Sequence, residues 1–171
     1  VYTTVDDRAL NKFLAAYDIG EVLSFAGIAE GVENSNYVLR TVKAHFILTL
    51  YEKRVDADDL PFFIELMTHL SAAGIDCPLP VAARDGQILH ELAGRPCALF
   101  SFLDGTFSRF PNRTKCHALG ASLAELHVKA QGVSRNRANA LGPTSWTPLL
   151  HSIGPDANLM AEGMEQTIAT H

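Results

Sequence analysis

The chain has no uninterrupted apolar run approaching the ~20 residues a membrane span requires. Its first residues, Val1-Tyr2-Thr3-Thr4-Val5-Asp6-Asp7, show neither the basic start nor the apolar centre of a signal peptide. Positive charge is scarce: 14 Lys and Arg stand against 19 Asp and Glu, a net charge of −5. Nucleic-acid binding needs a clustered basic face, so neither a nucleic acid nor a membrane is expected as partner. Three cysteines, Cys77, Cys97 and Cys116, are odd in number, widely spaced and free of any C-x-x-C pattern. They read as free thiols of a reducing compartment, with no metal site among them and the cytoplasm as default location. The chain also lacks Gly-Lys-Ser/Thr, which excludes a Walker A loop, and lacks His-x-Asp throughout.

What is present is ordinary globular material. At 171 residues, 47% apolar and 19% charged, the chain suffices for one domain with a substantial core, or a small domain and part of another. Its centre of gravity is the stretch from Gly27 to Lys53. Val38 to Thr41 and Phe46 to Lys53 are rich in Val, Ile, Leu, Phe, Tyr and Thr, and flank a polar turn at Lys43 and Ala44. The loop before them, with Gly31, Asn34, Ser35 and Asn36, can bring backbone N–H groups close to an anion. A hairpin loop lying over phosphates is the protein-kinase manner of holding ATP. The plainer alternative makes Asn34-Ser35-Asn36 turn residues bonded locally.

Around this stretch the chain predicts a first helix capped by Thr4, with Leu10, Phe13, Leu14 and Tyr17 inward and Gly20 as its stop. Val22 to Phe25 reads as a strand. A second helix starts at Asp58 and Asp59, has Pro61 in its first turn and ends before Gly74. Its stripe of Leu60, Phe63, Ile64, Met67 and Leu70 is expected to pack on a sheet, with Glu65 and His69 four residues apart beside it. Val81 to Arg84 and Ile88 to Leu92, joined through Asp85-Gly86, read as a hairpin. Cys97 to Leu103 reads as a central strand buried on both faces. Beyond Gly105, Thr114 is the expected cap of a helix bearing Cys116, Leu119, Leu123 and Leu126. Gly132 to Pro148 reads as a loop tucked down by Trp146, and Asp156 as the cap of a last helix with Met160 and Met164 in its core. The fold class is α+β, with a mainly antiparallel sheet of about five strands.

Four features together resemble the aminoglycoside-phosphotransferase and choline-kinase group of small-molecule kinases. They are Gly31…Asn34-Ser35-Asn36-Tyr37, the apolar strand from Phe46, the ending Leu103-Asp104-Gly105, and Leu123-Ala-Glu-Leu-His127. Within that group, the runs from Gly27 to Asn36, Phe46 to Glu52 and Asp59 to Phe63 resemble the bacterial homoserine kinases of this type. The resemblance implies a two-lobed, protein-kinase-like fold. Residues 1–102 would form an antiparallel-sheet nucleotide lobe, and residues 103–171 the hinge and first helices of an incomplete α-helical lobe. It implies ATP and Mg²⁺, and transfer of the γ-phosphoryl to the hydroxyl of L-homoserine in threonine biosynthesis. Gly31, Asn34, Ser35 and Asn36 would lie over the phosphates. Ile47 would floor the adenine, and Ser101 and Leu103 would lead into the hinge.

Two departures accompany the resemblance. Kinases place Lys or Arg two residues beyond the adenine floor; here that position is the neutral Thr49, and Lys53 shares its strand parity. Glu65 is then either the acidic partner of the phosphate-binding strand or a solvated residue paired with His69. Second, the missing His-x-Asp means that no catalytic residue is expected in this chain. The catalytic Asp and the Mg²⁺ ligands would lie beyond His171, and His127 is a structural histidine. Two alternatives remain beside the homoserine kinase: another hydroxyl kinase of the same superfamily, and a truncated binding module without catalysis.

Overall fold

In the computed structural model, which describes residues 2–29, 33–52, 55–106, 108–139 and 142–169, the chain divides into two compact units, Val1–Arg135 and Asn136–His171. The first opens with α1 (Asp7–Leu14), capped by Asp6, whose carboxylate accepts from the Ala9 N–H at 2.9 Å. Asp6 takes the place expected of Thr4 because it holds the extended conformation directly before the first helical residue. Gly20 has φ +80° but lies beyond the end of α1. It marks instead a close approach of backbone to the turn around Val42 and Lys43: a Cβ there would sit 2.8 Å from Val42 Cγ2.

Five strands follow: β1 (Val22–Gly27), β2 (Asn34–Thr41), β3 (His45–Tyr51), β4 (His90–Leu92) and β5 (Arg95–Ser101). They form one antiparallel sheet in the order β1-β2-β3-β5-β4. Asn34-Ser35-Asn36 therefore belong to a strand, paired with Tyr51, Leu50 and Thr49. Period-two alternation sorts the residues onto two faces. Ser35, Tyr37, Leu39, Leu48, Leu50, Cys97 and Leu99 point to one side and are buried. α1 covers that side with Leu10, Phe13 and Leu14, helped by Tyr17, Ala83 and Leu92. Each fully buried Leu in such a core contributes on the order of 2 kcal/mol. β5 is buried on both faces, as its apolar run predicts, with Cys97, Ala98, Leu99 and Phe100 all enclosed.

The expected hairpin through Asp85-Gly86 forms its turn but not its first strand. Gly86 has φ +83°, and the Ala83 N–H donates to the Gln87 carbonyl at 2.8 Å. Val81 to Arg84 lies in no strand; Pro80 makes an isolated bridge to Phe100 instead. Pro78 and Pro80 lack the N–H groups a ladder would need there.

α2 (Leu60–Ala72) has the predicted Pro in its first turn, and Gly74 follows it at φ +83°. A 3₁₀ turn, Ala57–Asp59, precedes it, and Asp56 caps that turn. The helix does not cover the buried face of the sheet, which α1 already occupies. Only Leu60 and Leu70 of its stripe are buried, while Phe63, Ile64 and Met67 stay half-buried. α3 (Arg113–Lys129) is capped by Asn112, which accepts from the Lys115 N–H at 2.9 Å, leaving Thr114 inside the first turn. Its intended apolar face is open, with Leu119 70% exposed.

The second unit is helical where a loop was expected. α4 (Pro143–Ile153) begins at Pro143, whose fixed φ suits a first helical position. Pro148 lies inside it, and Trp146 is 56% exposed instead of tucked in. A 3₁₀ turn, Gly154–Leu159, contains Asp156, so this residue does not cap α5 (Met164–Ala169). Met160 is 82% exposed and no core residue.

Candidate functional site

The face of the sheet turned away from α1 carries a cavity of about 370 Å³. Its wall follows from the register. Asn34 and Asn36 on β2 stand opposite Tyr51 and Thr49 on β3, and Ile47 on β3 stands opposite Phe100 on β5. All six line the cavity, joined by Ser101 at the end of β5, by Phe102 and Leu103 after it, and by Met67 of α2 and Pro78. Its character changes along β3: Ile47 lies near the end of β5, and Thr49 and Tyr51 follow at two-residue steps towards Asn34. One end is thus apolar and the other rich in amides and hydroxyls.

The polar groups are partly committed. Thr49 Oγ1 donates to Asn36 Oδ1 at 2.8 Å. The Glu52 N–H donates to Asn34 Oδ1 across a longer 3.5 Å. Ser101 Oγ accepts from the Leu79 N–H at 2.8 Å, which fixes the segment after α2 against the end of β5. Burial, aided by the nearby Cys97, pushes the Tyr51 phenol up to about 12, so it is a neutral donor near pH 7. At the apolar end, the N–H group of Leu103 has no hydrogen-bond partner among the described residues.

The cavity therefore unites Asn34, Asn36, Ile47, Thr49, Ser101 and Leu103. Gly31 and Lys53 lie outside the described residues. Ser35 is placed on the opposite, buried face, where its hydroxyl donates to Glu52 at 2.7 Å and accepts from the Tyr2 and Thr3 N–H groups. Glu65 lies in a separate cavity of about 430 Å³ with Pro61, Ile64, Gln87 and Arg135. Its carboxylate accepts from the Ser134 N–H and hydroxyl and pairs with Arg135 at 3.0 Å. The Ser134 hydroxyl, helped by the Arg135 charge, holds it below the usual carboxylate range. His69 does not pair with it; the ring meets the Lys129 carbonyl at 2.8 Å. That larger cavity has fewer convergent polar groups and none of the strand motif, so the 370 Å³ cavity is the candidate site.

Tyr51, Phe100 and Phe102 also line the site, and strand parity from Ile47 and Thr49 leads directly to Tyr51. Met67 and Pro78 arrive from other elements, and no local pattern points to them. His127 is exposed on α3 and lines neither cavity.

Comparison with known proteins identifies the family and the fold. Residues 24–164 match the model of the phosphotransferase enzyme family. The chain is 53% identical over 168 residues to a homoserine kinase of Azorhizobium caulinodans, covering 98% of this chain and 52% of that protein. It is 54% identical over 164 residues to that of Nitrobacter winogradskyi, covering 96% and 50%, and 51% identical over 170 residues to that of Acidiphilium cryptum, covering 99% and 53%. The chain thus spans about half the length of the curated relatives it matches. Among solved structures, spectinomycin phosphotransferase in complex with ADP and spectinomycin superposes with a TM-score of 0.60 at 14% identity, covering 87% of this chain and 46% of that one. That likeness establishes the fold, a kinase-like antiparallel sheet with helices. With the family model spanning most of its length, the chain belongs to the phosphotransferase enzyme family.

Proposed function

We propose that this chain carries the nucleotide-holding part of an ATP-dependent kinase that phosphorylates the side-chain hydroxyl of L-homoserine, a step of threonine biosynthesis in the cytoplasm. The observation that carries the reading is identity above 50% to homoserine kinases along almost the whole chain. The cavity supports it through chemistry. Ile47 and Phe100 offer an apolar floor for a flat base, with the unpartnered N–H group of Leu103 on the same cavity. Asn34, Asn36 and Thr49 supply hydrogen-bonding groups further along β3, where phosphates would follow. In this reading residues 1–102 are the nucleotide lobe, and residues 103–171 begin the helical lobe.

Phosphoryl transfer also needs a carboxylate to take the proton of the attacking hydroxyl, and hard oxygen ligands for Mg²⁺. The described residues do not fit the metal. No carboxylate lines the cavity, and no group of three or more His, Cys, Asp or Glu among the described residues could hold an ion. Both duties therefore fall, in this proposal, to sequence beyond His171. This chain contributes binding and orientation only.

A coupled ADP-release assay tests the proposal. An enzyme of the relatives' full length that carries this sequence is expected to release ADP in step with homoserine at a normal kinase rate of ~1 s⁻¹ or more. The 171-residue chain is expected to show no homoserine-dependent release. Turnover of another amino alcohol or a sugar in place of homoserine would overturn the substrate. Homoserine turnover by the 171-residue chain would overturn the placement of the catalytic groups.

A further inference from the structure

α2 leans on the end of α3 more than on the sheet. Apart from the 3₁₀ turn that leads into it, its most extensive contact is with the 3₁₀ turn Ala130–Gly132, directly after α3. Among the described residues no strand engages α2 as closely. Two side chains one helical turn apart, Glu65 and His69, make that contact specific.

Glu65 grips the far end of the segment. Its carboxylate accepts from the Ser134 N–H and hydroxyl at 3.0 and 2.6 Å and from the Arg135 N–H at 3.4 Å. It also pairs with Arg135 Nε at 3.0 Å. Such charge-assisted bonds are stronger than neutral ones. His69 grips the near end. Its Nε2 meets the Lys129 carbonyl at 2.8 Å, and since a carbonyl only accepts, that nitrogen carries the proton. The carbonyl belongs to the last turn of α3, where a helix leaves its acceptors without partners of its own. Gly132 lies against the same ring: a Cβ there would sit 2.8 Å from His69 Cε1. Residues 129–135 are thus held at both ends by α2. On β3, by contrast, Thr49 is neutral and committed to Asn36, so it offers Glu65 no charge.

The same helix reaches the 370 Å³ cavity through Met67, between Glu65 and His69 in sequence. Resting on the reading of that cavity as a nucleotide site, we propose that Glu65 and His69 form a clasp joining α2 to the end of α3 as one body. A nucleotide that touches Met67 is then felt by residues 130–135, which line no part of its cavity. The coupling needs no large movement. A ligand that stiffens α2 also stiffens the segment fastened to it, and the gain shows as slower local opening. Glu65 and His69 are positioning residues in this arrangement, since neither lines the nucleotide cavity.

The test is amide hydrogen exchange of the 171-residue chain, with and without saturating ATP, in the wild type, Glu65→Ala and Gly132→Ala. Glu65→Ala removes the acceptor from an exposed helix position where Ala is well tolerated. Gly132→Ala attacks the other end, because its Cβ pushes the His69 ring off the Lys129 carbonyl. In the wild type, ATP is expected to slow exchange at least about threefold both in β3 and in residues 130–135. In both variants the protection of β3 should remain, which also shows that the sheet is folded. The protection of 130–135 should fall below about 1.5-fold. Protection of β3 without protection of 130–135 in the wild type overturns the coupling and leaves the nucleotide reading intact. Undiminished protection of 130–135 in either variant overturns the clasp. A wild type in which ATP protects neither segment overturns the nucleotide reading, and the coupling with it.

Discussion

Ser35 Oγ donates to Glu52 Oε1 at 2.7 Å on the buried face of the sheet, while the same oxygen accepts from the main-chain N–H groups of Tyr2 and Thr3. One hydroxyl thus joins three parts of the chain: the N-terminal segment, β2 and the residue just after β3. Tyr37 extends the link by donating its phenol to the Thr3 carbonyl. Replacing Ser35 by Ala strands two N–H groups and takes one donor from a carboxylate that is itself only 11% exposed. The expected cost is about 2–3 kcal/mol. Urea denaturation should show it as a lower midpoint with an unchanged slope, because the surface exposed on unfolding is the same. A loss below about 0.5 kcal/mol would mean that water replaces the hydroxyl without penalty.

Glu52 also makes stability depend on acid pH. Burial alone would raise its carboxyl, but the hydrogen bonds from Ser35 and Thr3 and the Arg95 charge outweigh it and hold the value below the ordinary 4.5. A carboxyl depressed in the folded state adds stability that is fully present above its unfolded value and is lost as pH falls through the folded one. The chain should therefore lose stability as pH drops below 4.5. Glu52→Gln should be less stable than wild type at pH 7, with the gap narrowing as the pH falls through that window. Thermal melts at a series of pH values decide it; a constant gap would show that the Glu52 charge has no part in the acid limb.

Tyr17 offers the opposite case. It is 3% exposed, and its hydroxyl has no hydrogen-bond partner among the described residues. Burial pushes the phenol upward, with Cys97 and Asp85 adding to the shift. Tyr17→Phe removes an unpaired polar atom and keeps the ring, which packs on Phe13 at 5.1 Å and on His90 at 5.6 Å. The variant should be more stable by about 1 kcal/mol. Its melting temperature should rise by a few degrees. A fall would mean that the hydroxyl is hydrated in solution.

The local signals of α2 held because they act within a few residues: Pro61 sets the first turn and Gly74 supplies the left-handed stop. The apolar alternation of β2, β3 and β5 likewise marks their strands, and the run from Cys97 to Phe100 marks a strand enclosed on both sides. The strand parity of Ile47 and Thr49 placed them together on one wall before any partner was known. What the sequence by itself determined is thus the kind and order of these elements, and through its longer runs the family.

The partners were decided only in three dimensions. Whether Ser35 shares the wall of Asn34 and Asn36 depends on where β2 begins, and that is set by its pairing with Tyr51, Leu50 and Thr49. Glu65 meets Ser134 and Arg135, about seventy residues on, and His69 meets the carbonyl of Lys129. No spacing along a helix can announce such contacts. Which helix covers the sheet was decided the same way. α2 is the more apolar, yet α1 takes the buried face with Leu10, Phe13 and Leu14. Local propensity acts over a turn or a pair of strands, whereas the choice of face and partner is a competition among surfaces that meet only once the chain has folded.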